Sequence, residues 1–174
     1  MANNKAQVPF IALNIAVVTV SDTRTEENDT SGGYLQKELG SAGHHLAEKH
    51  ICKDDAYRLR ALVANLVADA SIQAILVTGG TGFTRRDNTV VAIKPLFDSV
   101  IDGFGELFRA LSYQEIGSST IQSRAFAGLS NDTAIFCMPG STGACKTAWE
   151  GIIAEQLNSQ HRPCNFVGRI ADHS

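Results

Sequence analysis

The 174-residue chain carries little charge of either sign: 19% of its residues are charged and its formal net charge is −3. Runs of like charge are only a few residues long, so no basic field would attract nucleic acid or an anionic membrane surface. The sequence also lacks low-complexity segments and internal repeats. We therefore expect one globular domain over residues 1–174, with a full core and with neither nucleic acid nor a membrane as a partner.

Cysteine is scarce, and its spacing argues against a zinc site or a disulfide framework. No CxxC pair occurs, and no cysteine is spaced from a histidine as zinc ligands are. The four cysteines are Cys52, Cys137, Cys145 and Cys164. A chain of this length does not need disulfides, so we expect reduced thiols, with Cys137 and Cys145 in the core. The adjacent His44 and His45 would point in different directions, which disfavours a shared metal.

No hydrophobic run is long enough to span a bilayer. The best candidate, "VPFIALNIAVVTV" at residues 8–20, is interrupted by Asn14 and continues into "SDTRTEEND" without a small-residue cleavage site. It therefore differs from a secretory signal peptide. A buried strand explains it better, and we expect a cytoplasmic protein.

Short apolar segments in the first half predict three β-strands: Ile11–Val20, Leu46–Cys52 and Ala74–Thr78. The first is almost continuously apolar, as expected of a strand buried on both faces. Helical spacing of leucine and valine predicts one helix within residues 29–43 and a second after "KDD". Either Asp54 or Asp55 could cap the second helix.

The second half predicts further helices and a hairpin. Residues 88–98 have helical character that is interrupted near Pro95, and another helix begins between Gly103 and Glu106. "RAFAGL" and "TAIFCMP" are two strands joined by the turn signal "SND". The antiparallel pair that this turn implies lies at one edge of the predicted sheet.

The remaining segments complete the predicted architecture. The last helix covers Ser141–Leu157, residues 1–10 are an N-terminal extension, and residues 160–174 are expected to form an irregular tail. Strands that alternate with helices indicate a three-layer α/β/α fold. We expect a mostly parallel sheet with an antiparallel edge strand.

In such sheets, ligands bind beyond the carboxyl ends of the strands. Four predicted strand ends are polar or rich in glycine: Ser21-Asp22, Lys53-Asp54, Gly79–Gly82 and Pro139-Gly140-Ser141. The topology predicts that they meet at one edge of the sheet and form a binding site there.

The stretch "TGGTGFTRRDNT" after the third strand suggests a phosphate site of uncommon type. It lacks the third glycine of the dinucleotide fingerprint GxGxxG, which disfavours a hydride-transfer site. The stretch could also be only a tight strand-to-loop turn in which glycine permits positive φ. The hydroxyls of Thr78 and Thr81 and the charges of Arg85, Arg86 and Asp87 suit phosphate and a divalent cation. Asp54 is the natural second carboxylate, because proteins usually hold Mg²⁺ by one or two carboxylates plus phosphate oxygens.

"GSTGACKT", residues 140–147, resembles a P-loop but departs from it at one position. Cys145 stands where GxxxxGK[ST] has glycine, and its Cβ obstructs the backbone wrap around a phosphate. A P-loop hydrolase built on Lys146 is therefore a weak alternative. The helix N-terminus at Gly140-Ser141 could hold an anion, or Ser141 could simply cap its own helix.

Several motifs occur together in one order: "TVSDTR", "DTSG", "AGH", "TGGTG" with "RRDNT", "GFGELFR", "IGSSTIQSRA" and "MPGSTGACKTAWE". Over nearly its whole length, the chain resembles the MoaB/Mog family of molybdenum-cofactor biosynthesis proteins. The last two motifs, with "RPCNF" near the end, resemble the MoaB branch. The resemblance implies the three-layer molybdopterin-binding (MogA-like) fold.

The resemblance also implies a ligand and a chemistry. The ligand is molybdopterin, a pterin with a dithiolene and a terminal phosphate, which active relatives adenylylate with ATP and Mg²⁺. The decisive aspartates match Asp54 and Asp87, which would hold the Mg²⁺. The ligand contacts match Gly79, Gly80, Thr81, Gly82, Ser123, Pro139, Gly140 and Ser141, with Thr78, Ser21 and Asp22 beside them.

Two functions are therefore expected from the resemblance. One is a molybdopterin adenylyltransferase, which the presence of both aspartates favours. This reaction needs no nucleophilic side chain, since it depends on alignment and charge stabilisation. The other is a non-catalytic molybdopterin-binding or scaffold oligomer in the same pathway. Trimers, or hexamers built from two trimers, are expected, with other cofactor-biosynthesis proteins as further candidate partners.

Overall fold

A computed structural model describes residues 8–171. Within this part of the chain, six strands form one sheet in the order β2-β1-β3-β6-β5-β4. The strands are β1 (Asn14–Val20), β2 (His45–Cys52), β3 (Ala74–Thr78), β4 (Ser99–Val100), β5 (Phe126–Ser130) and β6 (Thr133–Met138). The first four strands in this spatial order are parallel, whereas β5 is antiparallel to β6 and β4 is antiparallel to β5. The predicted mostly parallel sheet with an antiparallel edge is confirmed, and it carries one strand that the sequence did not predict, β4.

Helices connect most of these strands, near the predicted positions. They are α1 (Thr30–Ser41), α2 (Ala56–Ala68), α3 (Thr89–Ile93), α4 (Asp102–Ile116), α5 (Thr142–Ala148), α6 (Ala154–Gln156) and α7 (Val167–Ile170). A π-helical turn, Trp149–Ile153, joins α5 to α6, and 3₁₀ turns cover Lys94–Leu96 and Gly117–Gln122. The interruption predicted near Pro95 is the first of these 3₁₀ turns. No helix in residues 8–171 is both long and apolar enough to cross a membrane.

Two apolar layers cover the sheet, so the predicted three-layer arrangement is present. Alternate residues of β1 enter opposite layers, as the pleat of a strand requires: Ile15 packs with α1, α4 and α5, whereas Ala16 packs with α2 and α3. Leu35 of α1 and Leu59 of α2 are fully buried in these layers. Each such side chain contributes about 1.5–3 kcal/mol through burial.

Two differences from the sequence prediction exceed a boundary shift of two residues. Strand β1 begins at Asn14 rather than Ile11, because the preceding amides bond outside the sheet: Ile11 N donates to Ser159 Oγ and Leu13 N to His44 Nδ1. The tail predicted as irregular over residues 160–174 contains α7, whose Val167 and Ile170 are buried. A four-residue helix is too short to show a period in the sequence. Residues 1–7 of the predicted extension and 172–174 of the tail lie outside the described residues.

The chain leaves two neighbouring strands toward opposite faces of the sheet. After β1 it enters α1 in one layer, and after β3 it reaches α3 in the other. Strands β1 and β3 are adjacent and parallel. A crevice opens beyond the carboxyl ends of such a strand pair, and this is where doubly wound sheets place their ligands.

Candidate functional site

A cleft of about 490 Å³ lies at this point of the fold. Its walls are formed by the ends of β1 and β3, by the loops after β1, β2, β3 and β6, by the segment between α4 and β5, and by residues of α1, α4 and α5. The sequence-predicted residues in its lining are Ser21, Asp54, Thr78, Gly79, Gly80, Thr81, Gly82, Asp87, Ser123, Pro139, Gly140 and Ser141. The prediction that the polar strand ends meet at one edge of the sheet is therefore confirmed, while their roles toward a ligand stay predictions.

Asp22 lies beside the cleft and ties its rim together. Its Oδ1 accepts a hydrogen bond from Asp54 N at 3.2 Å, and its Oδ2 pairs with the Arg86 guanidinium. The hydrogen bond from Arg86 holds the pKa of Asp22 below its ordinary value. Asp22 thus connects the end of β1 to the end of β2 and to the loop after β3.

The turn after β3 requires glycine at two positions. Gly79 has φ +104° and Gly80 has φ +64°, a region that L-residues rarely adopt. A Cβ on Gly79 would lie 2.3 Å from Val20 O, and a Cβ on Gly80 would lie 2.3 Å from Thr89 Oγ1. Thr89 Oγ1 in turn donates to Gly79 O at 2.7 Å. The backbone of the turn is therefore held close to the neighbouring strand and to α3.

Two carboxylates approach this glycine turn from different loops. Asp54 Oδ1 accepts a hydrogen bond from Asn88 N at 2.9 Å, and Asp54 Oδ2 lies 2.9 Å from the position of a Cβ on Gly80. Asp87 Oδ2 lies 2.9 Å from the position of a Cβ on Gly82. The aspartates, 33 positions apart in the sequence, therefore face one turn, as predicted.

The two carboxylates have opposite pKa shifts. Burial raises the pKa of Asp54 despite hydrogen bonds from Asn88, and the charge of Asp87 raises it further. Burial acts in the same direction on Asp87, but hydrogen bonds from Thr84 hold its pKa below the ordinary value. For Asp87, hydrogen bonds outweigh the cost of burying the ionised carboxylate, but for Asp54 they do not. A cation between the two carboxylates would stabilise the ionised form of Asp54.

Asp55, rather than Asp54, caps α2. Its Oδ1 accepts hydrogen bonds from Tyr57 N at 3.0 Å and Arg58 N at 2.9 Å. The sequence left both aspartates open as the cap. Because the cap is the second of the pair, the carboxylate of Asp54 is available to the cleft.

Two hydroxyls of the cleft differ in their partners. Ser123 Oγ is buried and has no hydrogen-bond partner among the described residues. A buried hydroxyl without a partner is unfavourable, so this position suits a polar group of a ligand. Thr78 Oγ1, by contrast, donates to Pro139 O at 3.1 Å and joins the ends of β3 and β6.

Sequence reasoning missed several lining residues, namely Arg24, Ser31, Phe108, Ser112, Ile116, Ser119 and Gln122. Arg24 is the only cationic side chain among the described residues of the lining. Arg85 and Arg86, expected to meet phosphate, are not among them. Phe108, Ser112 and Ile116 are spaced by four, so one face of α4 carries a signal that could have located this wall.

The P-loop interpretation finds no support in the geometry. Ser141 Oγ accepts a hydrogen bond from Ala144 N at 3.1 Å, so this serine caps its own helix. Cys145 is buried, with its Sγ 3.1 Å from Thr78 Oγ1, and Cys137 is also buried, as predicted. Lys146 faces a separate groove between α4 and α5.

The chain matches the family model described as "Probable molybdopterin binding domain" over residues 16–159. The molybdenum cofactor biosynthesis protein B of Escherichia coli (strain K12) is 53% identical over 163 residues, which cover 94% of this chain and 96% of that protein.

Solved structures agree with these sequence matches. A crystal structure of a molybdenum cofactor biosynthesis protein B is 42% identical, with a TM-score of 0.82, and the match covers 84% of this chain and 92% of the other. A structure of MogA, 21% identical, shares the fold with a TM-score of 0.72, over 83% of this chain and 99% of that one. The chain therefore belongs to the molybdopterin-binding family, as a molybdenum cofactor biosynthesis protein of the MoaB type.

Proposed function

We propose that the cleft binds molybdopterin and that the chain adenylylates its terminal phosphate with ATP and Mg²⁺. The observation that carries this proposal is the approach of Asp54 and Asp87 to one glycine turn inside the cleft. Family membership supports molybdopterin as the ligand, and the cleft has a volume suited to a small molecule of that size.

The carboxylates fit a magnesium ion that the substrates complete. Among the described residues, no cluster of three or more His, Cys, Asp or Glu side chains could hold a metal by itself. Mg²⁺ is usually held by one or two carboxylates, with phosphate oxygens and water as the other ligands. Asp54 and Asp87 would hold the ion, which would neutralise negative charge on the reacting phosphates.

The proposed reaction joins two phosphates. An oxygen of the molybdopterin phosphate attacks the α-phosphorus of ATP, the new P–O bond forms, and the bond to pyrophosphate breaks. The residues of the chain would position the groups: the glycine turn lets backbone approach phosphate closely, and Arg24 offers a positive charge. The unpartnered hydroxyl of Ser123 would bind a polar group of the ligand. Alignment and charge stabilisation of this kind are sufficient, so no side-chain nucleophile is needed.

The test is a turnover assay. Purified protein is mixed with molybdopterin, ATP and Mg²⁺, and adenylylated pterin and pyrophosphate are measured. Product formation that requires all three components supports the proposal. Tight molybdopterin binding without product would instead establish the non-catalytic binding or scaffold function. ATP hydrolysis that is independent of pterin and is lost in Lys146→Ala would establish the P-loop alternative.

We further propose a cytoplasmic homo-oligomer, a trimer or a hexamer. Large apolar side chains that are exposed on the single chain support self-association, among them Phe83, Val100, Leu107 and Ile121. Light scattering coupled to size-exclusion chromatography distinguishes the two assemblies, and a monomer at micromolar concentration would contradict both.

A further inference from the structure

The loop that carries Asp87 has little regular structure of its own. It runs from Gly79 to Asn88, between β3 and α3, and residues 83–86 within it are exposed. Its internal support is a short turn in which Asp87 N donates to Thr84 O at 3.1 Å and Asp87 Oδ2 accepts from Thr84 N at 2.8 Å. Such a loop needs an outside anchor if its carboxylate is to keep one position.

Arg86 and Asn88 of this loop already bond to Asp22 and Asp54. Arg124, at the start of the segment that leads into β5, adds a further anchor. Its guanidinium donates to three carbonyl oxygens of the loop: Thr81 O at 3.3 Å through Nε, and Gly82 O and Asp87 O through Nη2, the last at 3.0 Å. Its backbone N also donates to Thr81 O at 3.1 Å. One side chain therefore bridges the beginning and the end of the loop.

The contacts of Arg124 depend on the shape of the side chain as well as on its charge. A guanidinium presents several N–H groups in a rigid plane, whereas a lysine ammonium is a flexible point charge that cannot reach the same carbonyls together. The Phe83 ring lies over the guanidinium, with 4.9 Å between the ring centroid and Cζ. A cation above an aromatic face is attracted to it, so this contact also holds the guanidinium.

Arg124 also connects two parts of the cleft. The preceding residue is Ser123, whose unpartnered Oγ lines the cleft. Because Arg124 binds the loop through both its backbone and its side chain, it holds Ser123 and Asp87 at a fixed position relative to each other. We propose that Arg124 is a positioning residue that fixes the carboxylate of Asp87 relative to Ser123 for the reaction, an inference that rests on the proposed function.

Arg60 provides a matched control elsewhere in the molecule. Its Nε donates to Ala92 O at 3.0 Å and its Nη2 to Val91 O at 2.6 Å, and its guanidinium lies 5.5 Å from the centroid of the Tyr57 ring. It therefore fastens α3 to α2 with the same chemical groups. It is not among the described residues that line the cleft.

The experiment compares Arg124→Lys with Arg60→Lys by amide hydrogen exchange and by the Mg²⁺ dependence of turnover. We expect Arg124→Lys to speed exchange at Thr84, Asp87 and Asn88 by about tenfold or more, because the loop loses the anchor that bridges its beginning and its end. We also expect it to raise the Mg²⁺ concentration for half-maximal turnover by about tenfold while lowering kcat, whereas Arg60→Lys stays within about twofold. Equal effects of the two variants, or unchanged exchange in Arg124→Lys, would overturn the proposal.

A chemical-rescue experiment keeps the test valid if Arg124→Lys is poorly folded. In Arg124→Ala, millimolar methylguanidinium should restore slow loop exchange and part of the turnover, whereas methylammonium should not. Equal rescue by the two cations would contradict a role for the planar fork. If the wild-type protein forms no product, the adenylylation proposal fails, and loop exchange together with the molybdopterin dissociation constant still decides whether Arg124 positions the loop.

Discussion

The amino and carboxyl ends of the parallel strands use polar residues in different ways. At the amino ends of the strands, polar side chains bond to backbone groups: Asn14 N donates to Gln73 Oε1 at 2.7 Å, Thr133 Oγ1 to Ile72 O at 3.0 Å, and Asn131 Nδ2 to Val67 O at 3.0 Å. These bonds close the connections between helices and strands.

At the carboxyl ends, several polar groups face a cavity instead. Ser123 Oγ is buried without a partner among the described residues, and burial raises the pKa of Asp54. Gly79 and Gly80 adopt positive φ in the same turn. Unsatisfied groups and unusual backbone conformations both reduce stability. They also occur at the amino ends, at His44 Nε2 and at Asn131 and Asp132, but these three residues are not among the described residues that line the cleft, whereas Ser123, Gly79 and Gly80 are. The difference predicts that substitutions at the carboxyl ends of the strands affect turnover, whereas substitutions at the amino ends affect only the free energy of unfolding.

The largest effect is expected from Asp54→Asn, compared with Asp69→Asn at the opposite edge. Loss of the carboxylate that would hold Mg²⁺ should lower turnover about a thousandfold or more. The free energy of unfolding at pH 7 should not fall, because burial of the Asp54 charge is unfavourable and asparagine keeps an oxygen for Asn88 N. The Asp69 carboxylate accepts hydrogen bonds from Ser71 and is not among the described residues that line the cleft, so its variant should keep normal turnover. Steady-state rates and urea unfolding provide both measurements.

The next largest effect is expected from Gly80→Ala. The new Cβ would meet Thr89 Oγ1 and Asp54 Oδ2 at a positive φ, so we expect a loss of about 1–3 kcal/mol of unfolding free energy and a lower rate. Gly33, within α1, has no atom within 4 Å of the position of a Cβ. Gly33→Ala should therefore stabilise the protein by about 0.5–1 kcal/mol without changing turnover. Equal stabilities of the two variants would contradict the strained turn.

A smaller effect is expected from Asp55→Ala, one position from Asp54. Removal of the α2 cap should cost about 1 kcal/mol of stability, and turnover should change by less than about twofold. Thermal unfolding and the turnover assay distinguish this variant from Asp54→Asn. A thousandfold loss of rate in Asp55→Ala would show that the roles of the neighbouring aspartates have been exchanged.

The smallest effect concerns His44, at the amino edge. Burial lowers its pKa from 6.5, and its Nδ1 accepts a hydrogen bond from Leu13 N. Because the unfolded state takes up a proton before the folded state does, stability should fall as the pH drops below 6.5 toward the lowered pKa. Urea unfolding between pH 5 and 8 should show this loss in the wild type and in His45→Gln, but less of it in His44→Gln. An identical pH dependence in His44→Gln would exclude this assignment.

The sequence predicted the cleft where local pattern and sheet geometry act together. Ser21, Gly79 and Pro139 follow strands whose composition is that of a buried parallel sheet, and parallel strands bring their carboxyl ends to one edge. The end of each strand was therefore sufficient to place these residues in the lining. The same argument brought Asp54 into the cleft, from the end of a strand more than 20 residues before the glycine turn.

The rest depends on tertiary contacts that leave no local pattern. The sequence "KDD" does not decide which aspartate caps α2, because the carboxylate of either one could accept the hydrogen bonds of the helix amides. The choice depends on the direction in which the chain leaves β2. Strand β4 has two residues and cannot show alternation. Arg124 reads as an ordinary surface charge, since the carbonyls it binds lie 37 to 43 positions away in the sequence. Its contacts are visible only in three dimensions.

Strand β6 is the last strand in the sequence, but it occupies a central position in the sheet, between β3 and β5. A nascent chain that has not yet reached residue 138 therefore leaves the hydrogen-bonding groups of β3 that face β6 unpaired, and it lacks one wall of the cleft. The binding site and the completed sheet therefore both require β6. A ligand that binds the cleft should accordingly protect the whole domain against global unfolding, since opening the central strand dismantles both at once.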